Sequence, residues 1–141
     1  MKALMPATLV VMVIALTAAA MPPSPRATVE AMFAAFNRHD ATAMATLYSV
    51  DAMLNSSDFC APRNGPAEVK RTYEALFQAF PDIRDEGMTF VTEGERVAVQ
   101  FLARSAQGQL NLPIGAFLVV RNGRIVSDEA YFNAGATPCS N

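Results

Sequence analysis

Hydrophobic positions along the chain recur with two periods, and the change from one to the other divides it. Val29, Met32, Phe33 and Phe36 fall at i, i+3, i+4 and i+7, the spacing of one buried helical face. Ser24 and Pro25 stand before them, a capping side chain followed by a ring whose fixed φ suits the first helical turn. "FNRHD" interrupts the pattern. Asp40 can cap a second, short helix carrying Met44, Leu47 and Tyr48, with "DAMLN" following as a short strand. "SSDFCAPRNG" is dense in turn formers and reads as a loop. Pro66 then starts a third helix with Val69, Tyr73, Leu76, Phe77 and Phe80 on one side, closed by Pro81. Beyond it the pattern turns strand-like over 83–93, 96–105, 110–121 and 124–133, with short turns at "EGER", "AQGQ" and "RNGR". Helices, one strand, a helix and an antiparallel meander make an α+β domain with its helices gathered on one face of the sheet.

The Asn122-Gly123 turn sets a register, because two-residue hairpins of this composition adopt the type I′ geometry. Arg121 then faces Arg124, and pairing outward sets Val119 against Val126, Leu118 against Ser127, Phe117 against Asp128, Ala116 against Glu129 and Ile114 against Tyr131. One face carries Leu112, Ile114, Ala116, Leu118 and Val120 with Ser127, Glu129, Tyr131 and Asn133; the other carries Phe117, Val119, Asp128 and Phe132. A four-residue "AQGQ" loop and a tight turn at Gly94-Glu95 add Val97, Val99, Phe101, Ala103, Met88 and Phe90 to the first face. That face is apolar nearly throughout, so it is expected under the helices. Of the adjacent acids Asp128 and Glu129, Glu129 is then the one expected to point inward.

Composition changes this picture mainly at the N-terminus. Residues 1–20 combine Lys2, an apolar run from Leu9 to Leu16 and the small-residue site Ala18-Ala19-Ala20, the plan of a signal peptide extending to residue 20 or 25. The competing readings are an uncleaved anchor, disfavoured by Pro22, Pro23 and Pro25, and a translation start at Met21 that would leave a cytoplasmic protein. Secretion or periplasmic export is the expectation, with a single domain over 26–133, a tail over 134–141 and no membrane partner once the leader is removed. The formal charge of -2 becomes -3 when Lys2 is lost, and no basic cluster suggests a nucleic-acid partner. One histidine and two dispersed cysteines do not make a metal-ligand set, and no phosphate-binding glycine loop follows a strand. No metal and no cofactor are expected.

The segments "FNRHDATAMATLYSVDAMLNS", "NGPAEVKRTYEALFQAFPDI", "GERVAVQF" and "VVRNGRIVSDEAYFN" resemble the SnoaL-like branch of the nuclear transport factor 2-like superfamily. The resemblance implies a cone, a curved sheet wrapped around three helices with an apolar cavity at one end, and homodimerisation through the outer sheet face. It implies a small apolar or amphipathic organic ligand, with cyclase-, isomerase- or hydrolase-type acid-base chemistry in some members and none in others. It also places the first strand beside and parallel to the last, so that Cys60 and Cys139, each a few residues beyond its strand, could form a disulfide. The family's usual acids do not carry over. The cyclase and isomerase Asp of the third meander strand falls on Ala116, the isomerase base on Ser56 and the helix-1 Tyr near Met32. The His-Trp-Asp pattern of the last strand reads here as Asp128-Glu129-Ala130.

Glu129 is therefore the candidate catalytic residue, since a carboxylate facing an apolar cavity has its pKa raised by desolvation and can exchange protons near neutrality. Tyr131 and Asn133 on the same face, and Tyr48, Asn55, Ser56 and Asp58 at the cavity mouth, are the candidate ligand-binding residues. Tyr73 reads as helix core and His39 as a structural residue at a helix junction. Two functions stay open: a small-molecule site with weak acid-base chemistry, or a noncatalytic module for ligand storage or for association through the outer face bearing Phe117, Val119 and Phe132.

Overall fold

The computed structural model describes residues 20–135. The leader-like residues 1–19 and the tail from 136, Cys139 included, lie outside the described residues. The chain runs α1 (Pro25–Asn37), α2 (Ala41–Thr46), β1 (Tyr48–Ser56), β2 (Arg63–Asn64), α3 (Gly65–Ala79), β3 (Arg84–Glu93), β4 (Arg96–Ser105), β5 (Leu110–Arg121) and β6 (Arg124–Tyr131). One six-stranded sheet has the order β2-β1-β6-β5-β4-β3, antiparallel except for the parallel β1–β6 pair. The helices cover one face of it, as the α+β reading requires.

The helix starts follow their capping chemistry. Ser24 accepts the Ala27 N–H at 3.2 Å, with Pro25 opening α1, and Asp40 accepts the Ala43 N–H at 2.8 Å to open α2. Tyr48 is not on α2. That helix ends at Thr46, and Tyr48 is the first residue of β1, because the Ile125 N–H donates to the Leu47 carbonyl at 2.8 Å and draws the chain into parallel pairing with β6.

The core is the face expected from strand alternation. Val97, Val99, Phe101 and Ala103 of β4 and Ala116, Leu118 and Val120 of β5 are buried against Val29, Met32, Phe33 and Phe36 of α1. Met88 and Phe90 of β3 join them half-buried, and Phe33 meets Phe90 and Phe101 edge to face. The tight turn at Gly94-Glu95 and the four-residue loop after Ser105 are both present.

The last strand departs from the expected register. Arg121 faces Arg124 and Val120 faces Ile125, but Val119 then faces Ser127, Leu118 faces Asp128 and Phe117 faces Glu129. Val126 is an extra residue, a β-bulge. Since successive side chains alternate between faces, one inserted residue exchanges the two faces for the rest of the strand. The neighbouring parallel strand is irregular at the same level: Tyr48 pairs with Ile125 but Met53 with Ser127, so β1 arches outward between them and leaves Val50 exposed. The hairpin turn itself is as expected, with positive φ at Asn122 and Gly123. Pro22 and Pro23 lie against it, and a Cβ on Gly123 would come within 2.9 Å of the Pro23 ring.

Candidate functional site

The bulge at Val126 decides which acid enters the core. Asp128 is buried at 4% exposure, on the same face as Leu54 and Leu118 beside it. The Tyr48 hydroxyl donates to its Oδ2 at 2.6 Å and also lies 3.2 Å from the Met32 sulfur, the weaker acceptor of the two. Burial pushes the Asp128 carboxyl up from 3.8 to about 6, with a further push from the Glu129 charge, while the Tyr48 hydrogen bond opposes the rise. Burial likewise raises both Tyr48 and Tyr73 well above the ordinary phenol range, so both stay neutral donors at physiological pH. Tyr73 raises Tyr48 further and is itself raised by the Asp128 charge, so it belongs to this cluster as well as to the helix core.

A second interior carboxyl arrives by the same device. Counting back from the inward Met88 by simple alternation would turn Glu86 toward the core. Instead the β3–β4 register shifts between Glu86 and Thr89, where Gly87 takes φ +65. Asp85 consequently points inward at 6% exposure and Glu86 is exposed. Desolvation pushes Asp85 from 3.8 to about 7. The chain thus holds two Asp-Glu pairs, 85–86 and 128–129, and in each a bulge sends the aspartate into the core and the glutamate outward.

Glu129 does not face the interior. It is half-buried on the outer face opposite Phe117, accepts the Tyr131 hydroxyl at 2.6 Å and lines a surface concavity of about 370 Å3 with Val91, Phe117 and Ser127. Tyr131, expected inward, is 52% exposed and packs edge to face on Phe117. Asn133 lies beyond β6, exposed, its Oδ1 accepting the Gly135 N–H at 3.0 Å. All three corrections have one cause, the single inserted residue at Val126.

The mouth candidates separate. Tyr48 is deep, at 2% exposure, rather than at a rim. Ser56 faces inward beside Ala130, both half-buried, one inward position nearer solvent than Leu54 and Asp128. Asn55 is in register with Glu129 on the outer face, and Asp58 is exposed in the turn after β1. His39 is structural as expected: its Nε2 donates to the Ile83 carbonyl at 2.7 Å and its ring stacks on Phe77. Cys60 is exposed beyond β1, and its expected partner Cys139 lies outside the described residues.

α3 packs against α2, β1 and β2, and its Tyr73 feels the charge of Asp128 on β6. Leu76 near its end and Phe80 just beyond it pack half-buried against the core, as do Phe59, Leu110 and Ile114. Among the described residues no group of three or more His, Cys, Asp or Glu could hold a metal ion, and no helix is long and apolar enough to cross a membrane.

A curved sheet closed over three helices, with polar groups inside an apolar cone, defines a nuclear transport factor 2-like domain. Residues 29–128 match the family model of the SnoaL-like domain, and the chain belongs to that family. Among solved structures it is similar to a candidate polyketide cyclase from Pseudomonas putida KT2440 (25% identity, TM-score 0.71, 79% of this chain and 93% of that one). It is also similar to AclR, a candidate hydroxylase from Streptomyces galilaeus (23%, TM-score 0.64, 77% and 88%). An NTF2-like protein from Cytophaga hutchinsonii ATCC 33406 shares the fold at 16% identity (TM-score 0.65, 77% and 89%). No curated protein matches the chain.

Asp128 was legible as a candidate only through its neighbour: the Asp-Glu pair marked the position, and alternation chose the wrong member. Asp85 carried a signal that pattern reading passed over, a glycine two residues beyond an acid inside a strand, which is where a bulge is expected.

Proposed function

We propose that this SnoaL-like domain binds a small apolar or amphipathic organic molecule in the cone and moves a proton on it through Asp128. The observation that carries this is the buried Tyr48–Asp128 pair at 2.6 Å, a carboxyl whose burial tunes it to titrate near neutrality. As a carboxylate, Asp128 accepts a proton from an acidified C–H or O–H of the ligand and becomes neutral. It then returns that proton to the rearranged product, so the enzyme ends as it began and the net reaction is an isomerisation or cyclisation. Neutral Tyr48 holds the carboxylate in place, and Tyr73 supplies a second hydroxyl. The cyclase-like relative from Pseudomonas putida supports this class of chemistry by analogy alone.

Native mass spectrometry of the purified domain tests the reading. The wild-type protein should carry a copurified small molecule that Asp128→Asn loses, while the variant keeps its circular dichroism spectrum. Equal retention by both proteins would remove Asp128 from the site.

A second, noncatalytic reading has its own observation, the exposed apolar stripe of Val91 (67%), Phe117 (58%) and Tyr131 (52%) on the outer sheet face. We infer homodimerisation through it. Sedimentation should show a dimer at micromolar concentration that Phe117→Asp converts to monomer. A wild-type monomer would refute this use of the face. The leader-like first residues support export to the periplasm or medium, where a Cys60–Cys139 bridge would be stable. Cell fractionation and a nonreducing intact mass, lower than the reduced mass by two hydrogens, test both.

A further inference from the structure

Asn37, the last residue of α1, makes a contact that the helix itself does not need. Its Oδ1 accepts the Asp85 N–H at 2.8 Å and its Nδ2 donates to the Asp85 carbonyl at 2.9 Å. One carboxamide thus satisfies both backbone groups of one residue, as a neighbouring strand would, at the start of an edge strand. Two residues on, Gly87 takes φ +65 and the register shifts. The peptide of Asp85 is pinned on one side of the bulge and the chain is free to fold back on the other.

We propose that Asn37 is a positioning residue, which by clamping the Asp85 backbone fixes the Gly87 bulge so that Asp85 rather than Glu86 is the second carboxyl of the interior site. The inference deepens the acid-base reading and rests on it for its functional meaning, although its geometry does not involve Asp128. Among the described residues Asp85 has no ion-pair partner, and burial alone accounts for the rise of its carboxyl. β4 presents Ala103 directly opposite, and α3 contributes Tyr73, which feels the Asp85 charge. His39, between α1 and α2, is committed to the Ile83 carbonyl, and Arg38 is exposed. Arg84, Glu86 and Arg104 lie exposed on the outer face, where Glu86 pairs with Arg104 at 3.4 Å. Releasing the clamp would let this segment slip by one residue, exchanging Asp85 for Glu86 and disrupting that ion pair.

The test reads the carboxyl directly and needs no ligand. Protein labelled with 13C at aspartate Cγ is titrated by NMR, and Asp85→Asn assigns the resonance. In wild type Asp85 should titrate near neutrality; in Asn37→Ala its midpoint should fall by a unit or more while that of Asp128 stays in place. An unchanged Asp85 midpoint in a folded Asn37→Ala protein would overturn the proposal. Should that variant fail to fold, the bulge can be approached from its other side. Gly87→Asn tolerates the left-handed conformation and should leave the midpoint where it was, whereas Gly87→Val does not tolerate it and should lower the midpoint. Equal midpoints in these two variants would also refute the inference. Loss of ligand retention by Asp128→Asn is a separate measurement, so failure of the functional reading and failure of the clamp are told apart.

Discussion

At Asp128 the chain holds a carboxyl in a place where its charged form is disfavoured, and Tyr48 is what makes that charge bearable. The Tyr48 hydrogen bond opposes the rise caused by burial. In Tyr48→Phe the Asp128 midpoint should therefore move further up, not back toward the ordinary aspartate range, as a carboxyl titration would read. Hydrogen bonds to charged groups are worth ~1.5–3 kcal/mol, so the same variant should lose about that much stability at pH 8, measured by urea unfolding, and less at pH 5, where Asp128 is largely neutral. The two acids also fix how stability depends on pH. With folded-state values of about 6 and about 7 against 3.8, the folded protein binds more protons than the unfolded chain between those limits. Stability from these groups is then fully present below about pH 4 and lost as pH rises through about 6 for Asp128 and about 7 for Asp85. The loss for Asp128 is roughly 3 kcal/mol at most, from a shift of about two units at 1.36 kcal/mol each. Asp128→Asn keeps the shape and the acceptor for Tyr48, so it should unfold at higher urea than wild type at pH 8 while losing function, the trade expected of a site residue.

Among the elements, β6 and β3 carry the decision about which side chains reach the core. The helices were readable from caps and spacing because both are local: Ser24, Asp40 and Pro66 mark their starts within a turn. The limits of β4 and β5 were readable for the same reason and their inner faces followed from alternation, whereas β1, expected over 51–55, runs Tyr48–Ser56, β2 lies in a stretch that reads as loop, and β6 stops at Tyr131 rather than 133. The face of β6 beyond Val126 was not readable, because the turn at Asn122-Gly123 fixes only the pairs nearest it. The inserted residue sits between β5, its hairpin partner, and the arched β1, which lies far earlier in the sequence and which the turn does not reach. Glu129, Tyr131 and Asn133 were misplaced together for that reason. Deleting Val126 should close the bulge while leaving Ser127, Asp128 and Glu129 opposite Val119, Leu118 and Phe117, so that Asp128 stays inward. The expected result is an Asp128 titration that stays near neutral; a deletion variant that loses it would show that the pairs beyond the bulge do not hold the acid inward. By contrast Leu118→Ala, in the middle of a regular strand at 1% exposure, should cost ~2–5 kcal/mol of ordinary cavity formation.

For the whole molecule, the cone puts acid-base groups in its interior and apolar surface on the outside of the same sheet. The fold and the SnoaL-like family were legible from the order and spacing of segments. The identity of the interior acids was not, since that depends on two bulges, each moving a strand by a single residue. The chain buries Asp128 against Tyr48, and buries Asp85, on the helix-facing side of a sheet that carries Ala116 and Ser56 on the same side. Solution NMR on the domain labelled at aspartate and glutamate carboxyls bears most directly on that arrangement. Two aspartate signals, assigned by Asp128→Asn and Asp85→Asn, should titrate at about 6 and about 7. An Asp128 signal in the ordinary aspartate range, with Glu129 raised in its stead, would contradict the account.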